Sequence, residues 1–184
     1  MLQNKVALVT GGSKGIGKAI VEKFAKLGSN VIAVSRHVAD FSYIEKSIQE
    51  KIEPVCCDIC DDKAIKDLIV HVNKKYGHLD ILVNNAGIMQ NALLGMITRL
   101  SIQEQFETNV FAMIQLTQMA SKIMRRQNYG SIINMASIIG TKGYAGQTVY
   151  SATKGAVISF TLSTGTVSKA LACLSVILPA ITPS

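Results

Sequence analysis

The sequence predicts a doubly wound α/β fold, a parallel sheet with helices on both faces. Three observations carry this. Short, β-branched apolar runs alternate along the chain with stretches of helical periodicity, the order that gives parallel pairing through right-handed crossovers. The runs are continuously apolar, as strands buried on both faces must be. A glycine cluster, Thr10-Gly11-Gly12-Ser13-Lys14-Gly15-Ile16-Gly17, stands between the first run and the first helical stretch.

Residues 6–9 make the first strand, which ends toward the glycines. Ile16, Ala19, Ile20, Phe24 and Leu27 then recur at helical spacing until Gly28 stops the helix. Residues 31–34 are the second strand, 44–52 a helix with a polar face, and 54–57 the third strand. Residues 61–76 read as a helix, with Asp61 or Asp62 near its start and Gly77 at its end. The fourth strand, 79–83, closes on Asn84-Asn85-Ala86-Gly87. A long helix is expected over 101–124, where Ser101 and Glu104 have the spacing of a capping box. The fifth strand covers 131–135, a helix follows over 149–160, and the sixth strand, 174–178, ends at Pro179.

At 184 residues the chain is large enough for one domain with a real core, and it shows no internal repeat or low-complexity linker. Its apolar stretches are short and broken by Gly, Ser or charge, so no membrane span is expected. Met-Leu-Gln-Asn-Lys at the start runs straight into a strand without the layout of a signal peptide, which makes a cytoplasmic protein the expectation. The net charge is +7, but Lys14, Lys18, Lys23, Lys26, Lys74 and Lys75 are scattered over solvated helix faces without interleaved aromatics. That pattern argues against nucleic acid and leaves a phosphorylated cofactor or an acidic carrier protein to fit the charge. Cys57 and Cys60 have C-x-x-C spacing, yet no second ligand pair follows. Cys56 and Cys57 end an apolar strand, so the thiols are expected buried and reduced. His37, His71 and His78 do not cluster with Cys or acids, and no metal is expected.

The glycine cluster reads as a dinucleotide cradle. Gly11, Gly15 and Gly17 let the backbone turn and approach a pyrophosphate, and the helix entered at Ser13, Lys14 and Ile16 offers free N–H groups and the positive end of its dipole. The second strand ends at Ser35-Arg36, without the acid that holds a ribose 2′-hydroxyl in NAD-selective sites. Arg36, assisted by Lys14, suits a 2′-phosphate, which favours NADP(H) over NAD(H); the alternative is an ordinary surface Arg. Asp58, followed by Ile59, either accepts from the adenine amino group or caps a turn, and the two roles are compatible. Asn84, Ala86 and Gly87 suit the wall of the adenosine ribose.

Tyr150 and Lys154 stand four residues apart on the predicted helix, so phenol and ammonium share a face. A free phenol titrates near ~10. A neighbouring cation is expected to lower that value and let the Tyr exchange a proton with a substrate oxygen. Ser137, thirteen residues upstream, is placed to hydrogen-bond the same oxygen.

Thr10 to Gly17, Asp58, Asn84-Asn-Ala-Gly87, Asn109, Ser137 and Tyr150-x-x-x-Lys154 occur together in an order that resembles the classical short-chain dehydrogenase/reductase family over residues 3–161. The resemblance implies a single Rossmann-like dinucleotide-binding domain over residues 1–184. It also implies Tyr150 as general acid, Lys154 as the group that lowers its pKa and binds the nicotinamide ribose, and Ser137 as the donor that orients and polarises the carbonyl. Asn109 would hold a water linking Lys154 to solvent. Ala86-Gly87-Ile88, Leu93-Leu94 and the 137–147 segment look most like the 3-oxoacyl-[acyl-carrier-protein] reductases. The implied activity is NADPH-dependent reduction of a 3-oxoacyl thioester in fatty acid biosynthesis, by a homodimer or homotetramer. Action on another small carbonyl or alcohol is the alternative, as is a truncated chain that binds cofactor without turnover.

The family pattern does not continue cleanly beyond the catalytic helix. Residues 162–175, with Gly165 among Thr and Ser, look atypical and weaken a helix there. Ala180 stands where the family has Gly, and Thr182 stands in for the segment just after Pro179, on which the nicotinamide carboxamide docks. Relative to the family, the chain is expected to lack the C-terminal lid and last strand.

Overall fold

The structure, a computed structural model, describes residues 2–165 and 172–178. Strands β1 (Val6–Thr10), β2 (Asn30–Ser35), β3 (Ile52–Cys56), β4 (Ile81–Asn84), β5 (Ser131–Ser137) and β6 (Ala172–Leu178) form one parallel sheet in the order β3-β2-β1-β4-β5-β6. The helices are α1 (Gly15–Lys26), α2 (Lys46–Gln49), α3 (Asp62–Tyr76), α4 (Arg99–Phe106), α5 (Ala112–Arg126), α6 (Ile139–Lys142) and α7 (Thr148–Gly165). Alternate residues of each strand face opposite layers. Ala7, Val9, Val31 and Ala33 pack with Val21 and Ala25 of α1. Val6, Leu8, Ile32 and Leu82 pack on the other side with Leu68 of α3 and Leu116 of α5. A smaller cluster, Met113, Ala136 and Val157, joins α5, β5 and α7. Leu8 is fully buried, and burial of such a side chain contributes about 2 kcal/mol.

The strand order reverses at β1, whose neighbours are β2 and β4, so a crevice opens beyond the carboxyl ends of β1 and β4. The glycine loop and Asn84–Gly87 meet there. Among the described residues, no helix is long and apolar enough to cross a membrane.

Several local expectations are corrected. The helix expected over 44–52 is one turn, α2, because Ile52 joins β3 opposite Val31 and the preceding loop is pinned by buried Ala39 and Phe41. The long helix starts earlier, capped by Thr98, whose Oγ1 accepts from Ser101 N at 3.1 Å. Ser101 therefore lies within the first turn and accepts from Gln105 Nε2 at 3.2 Å. The same helix is broken by a π-helical turn at Glu107–Phe111. Helix α7 continues to Gly165, where Thr164 meets Cys173 of β6, and the hydroxyls of Thr161, Ser163 and Thr164 each donate to the carbonyl four residues earlier. Of the thiols, only Cys57 is buried; Cys56 is exposed at the end of β3, and Cys60 and Cys173 are half-buried. Pro179, Ala180 and Thr182 lie outside the described residues, as does the 166–171 part of the atypical segment.

Candidate active site

The cradle forms where β1 runs into α1. Gly11 and Gly15 have φ of +67° and +54°, which glycine adopts without strain. A Cβ on Gly11 would stand 2.8 Å from Asn85 Nδ2, and one on Gly17 would stand 2.2 Å from the carbonyl oxygen of Gly11. These two glycines let loop and helix close on each other. Gly15 instead has nothing among the described residues within 4 Å of a Cβ built there. Among the described residues no side chain caps the start of α1, where Lys14 is the N-cap, so its first N–H groups suit an anion. The cradle fits a pyrophosphate. Ser13 is half-buried beside it, and Lys14 and Ile16 are exposed.

Arg36 is exposed just past the end of β2, and its carbonyl accepts from Cys56 Sγ at 3.2 Å. Asp58 caps a turn, accepting from Cys60 N at 2.9 Å, while Ile59 packs against the core. Asn84 turns inward: its Nδ2 donates to Thr117 Oγ1 at 2.9 Å and to Asn134 Oδ1 at 2.8 Å. Asn85, which sequence reasoning did not single out, carries the contact with the glycine loop. Its Nδ2 donates to the carbonyls of Thr10 and Gly11 at 3.0 and 3.3 Å. Thr10 Oγ1 accepts from the N–H groups of both Asn85 and Ala86 at 3.0 Å. This knot holds the two halves of the crevice in one register.

Ser137 ends β5 and is buried, and its Oγ accepts from Ile139 N at 3.3 Å. Tyr150 and Lys154 lie one turn apart on α7, with Lys154 Nζ 5.7 Å from the centre of the Tyr150 ring. Lys154 is only 5% exposed. Its Nζ donates to the Met135 carbonyl at 2.6 Å, and burial pushes its pKa down to about 8. Burial also pushes the Tyr150 phenol above its ordinary value, while hydrogen bonding to Ser137 draws it the other way. The expected lowering of the phenol by Lys154 is therefore not the net result. Desolvation of the phenol sets the net direction, and the ammonium is turned to Met135.

Asn109 sits in the π-helical turn, which aims its amide across the crevice. Its Oδ1 accepts from Ile88 N at 2.8 Å, and its Nδ2 donates to Ile88 O at 2.8 Å and Thr153 Oγ1 at 3.1 Å. Both amide hydrogens are used, so a lone pair on Oδ1 is what the side chain can still offer a water. A Cβ on Gly87 would stand 3.1 Å from that oxygen and 3.8 Å from Lys154 Nζ. Gly87, Asn109 and Lys154 thus converge. Thr153 and Asn85 are the residues that sequence reasoning missed. The only signals were their places inside Tyr150-Ser-Ala-Thr-Lys154 and Asn84-Asn-Ala-Gly87.

The arrangement sets a phenol, a buried amine and a serine hydroxyl beside the glycine loop. Comparison with known proteins gives the family of the chain. The family model described as short chain dehydrogenase matches residues 5–183. A 3-oxoacyl-[acyl-carrier-protein] reductase of Thermotoga maritima is 38% identical over 163 residues, covering 87% of this chain and 66% of the relative. One of Aquifex aeolicus is 35% identical over 186 residues, covering 99% of this chain and 74% of the relative. A crystal structure of a short-chain dehydrogenase/reductase from Burkholderia xenovorans superposes with a TM-score of 0.90 at 29% identity, covering 97% of this chain and 75% of that one. The chain spans 66% of the length of the Thermotoga relative.

Proposed function

The chain belongs to the short-chain dehydrogenase family of nicotinamide-dependent oxidoreductases, and on that premise we propose that it reduces the ketone of a 3-oxoacyl thioester, carried on acyl carrier protein, with NADPH. The observation that carries the reading is the convergence of Ser137, Tyr150 and Lys154 beside the glycine cradle. NADPH would lie along Gly11 to Gly17, with Arg36 and Lys14 toward the 2′-phosphate, Asp58 and Ile59 toward adenine, and Ala86 and Gly87 along the ribose. When bound, it supplies the hydride. Ser137 donates to the ketone oxygen and Tyr150 gives it a proton. A phenol held above its ordinary pKa is fully protonated at neutral pH, which suits a general acid in the reducing direction. Lys154 stabilises the phenolate that results and helps hold the ribose. Asn109 and Thr153 brace the turn of α7 that carries Tyr150 and Lys154, so phenol and ammonium meet the substrate already oriented, which raises the rate.

Three features support the substrate class. Relatives named for this reaction share most of the chain. Leu93, Leu94 and Met96 are exposed on the segment that follows Gly87, where they suit an acyl chain. The +7 charge suits an acidic carrier. Steady-state oxidation of NADPH with acetoacetyl thioester tests the reading. Thioester-dependent turnover is expected, and its absence in the folded protein contradicts the proposal. Arg36→Ala should weaken NADPH far more than NADH; equal losses would remove the argument for NADP.

A further inference from the structure

We infer that Ser151 and Gly140 are positioning residues that dock the turn after Ser137 onto helix α7 and so set the serine hydroxyl against the Tyr150 phenol. The inference rests on the proton-donor reading of Tyr150 given above. Ile139 is the link. Its N–H donates to Ser137 Oγ at 3.3 Å, and its carbonyl accepts from Ser151 Oγ at 2.7 Å. One buried residue thus joins the serine, through its nitrogen, to the residue directly after Tyr150, through its oxygen.

A second contact lies further along α7. A Cβ on Gly140 would stand 2.7 Å from the Lys154 carbonyl carbon and 2.8 Å from Gly155 N, and one on Gly155 would stand 3.3 Å from Gly140 O. The approach is backbone to backbone, with no flexible side chain to yield. Helix α6 has four residues, too few to hold its own place, so these two contacts fix it. No part of the Tyr150-x-x-x-Lys154 pattern requires Ser at 151 or Gly at 140. Their need comes from the docking.

The test follows the Tyr150 phenol directly and needs no turnover. Tyrosine ring carbons are labelled with 13C, the Tyr150 signal is assigned by its loss in Tyr150→Phe, and its titration is followed by NMR in each variant. Ser137→Ala should move the Tyr150 titration to higher pH, because the hydroxyl that favours phenolate is gone. Ser151→Ala should move it the same way, Ser137→Ala with Ser151→Ala no further than Ser137→Ala alone, and Ser151→Thr should restore the parental curve. Gly140→Ala should act like Ser151→Ala. Because Ser151→Ala removes a single hydrogen bond from a half-buried hydroxyl and keeps a good helix former, it carries the test if Gly140→Ala fails to fold. In turnover, Ser151→Ala should lower kcat about tenfold with KM for NADPH unchanged. A parental titration in Ser151→Ala beside a shifted one in Ser137→Ala overturns the inference and leaves the reductase reading standing. Parental titrations in both overturn it as well, by removing the Ser137–Tyr150 contact. A parent without turnover contradicts the reductase reading alone, since the titrations are read separately.

Discussion

Replacing Lys154 by Met should make the protein more stable at neutral pH while abolishing its chemistry. Lys154 is buried, and its pKa is pushed down from 10.5 to about 8 by desolvation. Holding the charged form in the fold at pH 7 therefore costs roughly 3 kcal/mol. Met fills a similar volume without a charge. It forfeits the 2.6 Å hydrogen bond to the Met135 carbonyl, a loss of about 1 kcal/mol. Lys154→Met is thus expected to gain about 2 kcal/mol at pH 7. The sign with pH follows from proton counts. Between about 8 and 10.5 the unfolded chain binds the Lys154 proton and the folded chain does not, so the parent gains stability as pH rises through that window. Other groups titrate alike in both proteins and cancel in the difference. Urea unfolding followed by circular dichroism at several pH values measures it. The advantage of Lys154→Met should shrink above pH 8 and reverse by about 1 kcal/mol once the parental lysine is neutral in both states. A difference that does not change with pH, or a variant less stable at pH 7, refutes the account of Lys154.

The same lysine sets a pH profile: carbonyl reduction should decline above about pH 8 as Lys154 loses its proton, and Lys154→Arg should move any residual decline upward in steady-state NADPH oxidation. Asn109→Ala cuts three hydrogen bonds joining residue 88 to α7 and should cost about 2–3 kcal/mol in urea unfolding, with a fall in kcat. Gly17→Ala places a methyl 2.2 Å from the Gly11 carbonyl oxygen, so NADPH binding measured by cofactor fluorescence should be lost.

What could be read from the sequence was local. The apolar runs marked all six strands, and helix spacing put Tyr150 and Lys154 on one face, because these depend on neighbours within a turn or a strand. The glycine cluster was legible as a tight turn between β1 and α1 because that property is conformational. What escaped depends on distant partners. The π-helical turn at Asn109 is tied to Ile88 and Thr153, 21 and 44 residues away, and no periodicity encodes them. Two adjacent asparagines, Asn84 and Asn85, look alike in sequence, and only their places, at the last residue of β4 and just past it, turn one inward and the other to the glycine loop. The direction of the Tyr150 shift needed burial, which spacing alone does not reveal. The run of Thr and Ser near Gly165 looked helix-breaking, yet α7 runs through it, where Thr164 meets Cys173 of β6.

The central claim is that Tyr150 delivers a proton while the nicotinamide delivers hydride to the same carbonyl. The most direct test supplies NADPH deuterated at the transferring position together with acetoacetyl thioester, and analyses the product by mass spectrometry. The account predicts a 3-hydroxyacyl thioester carrying one deuterium at the new carbinol carbon, formed by the parent and lost in Tyr150→Phe while that variant still binds NADPH. Deuterium-labelled product at the parental rate in Tyr150→Phe, or none in the parent, would contradict it.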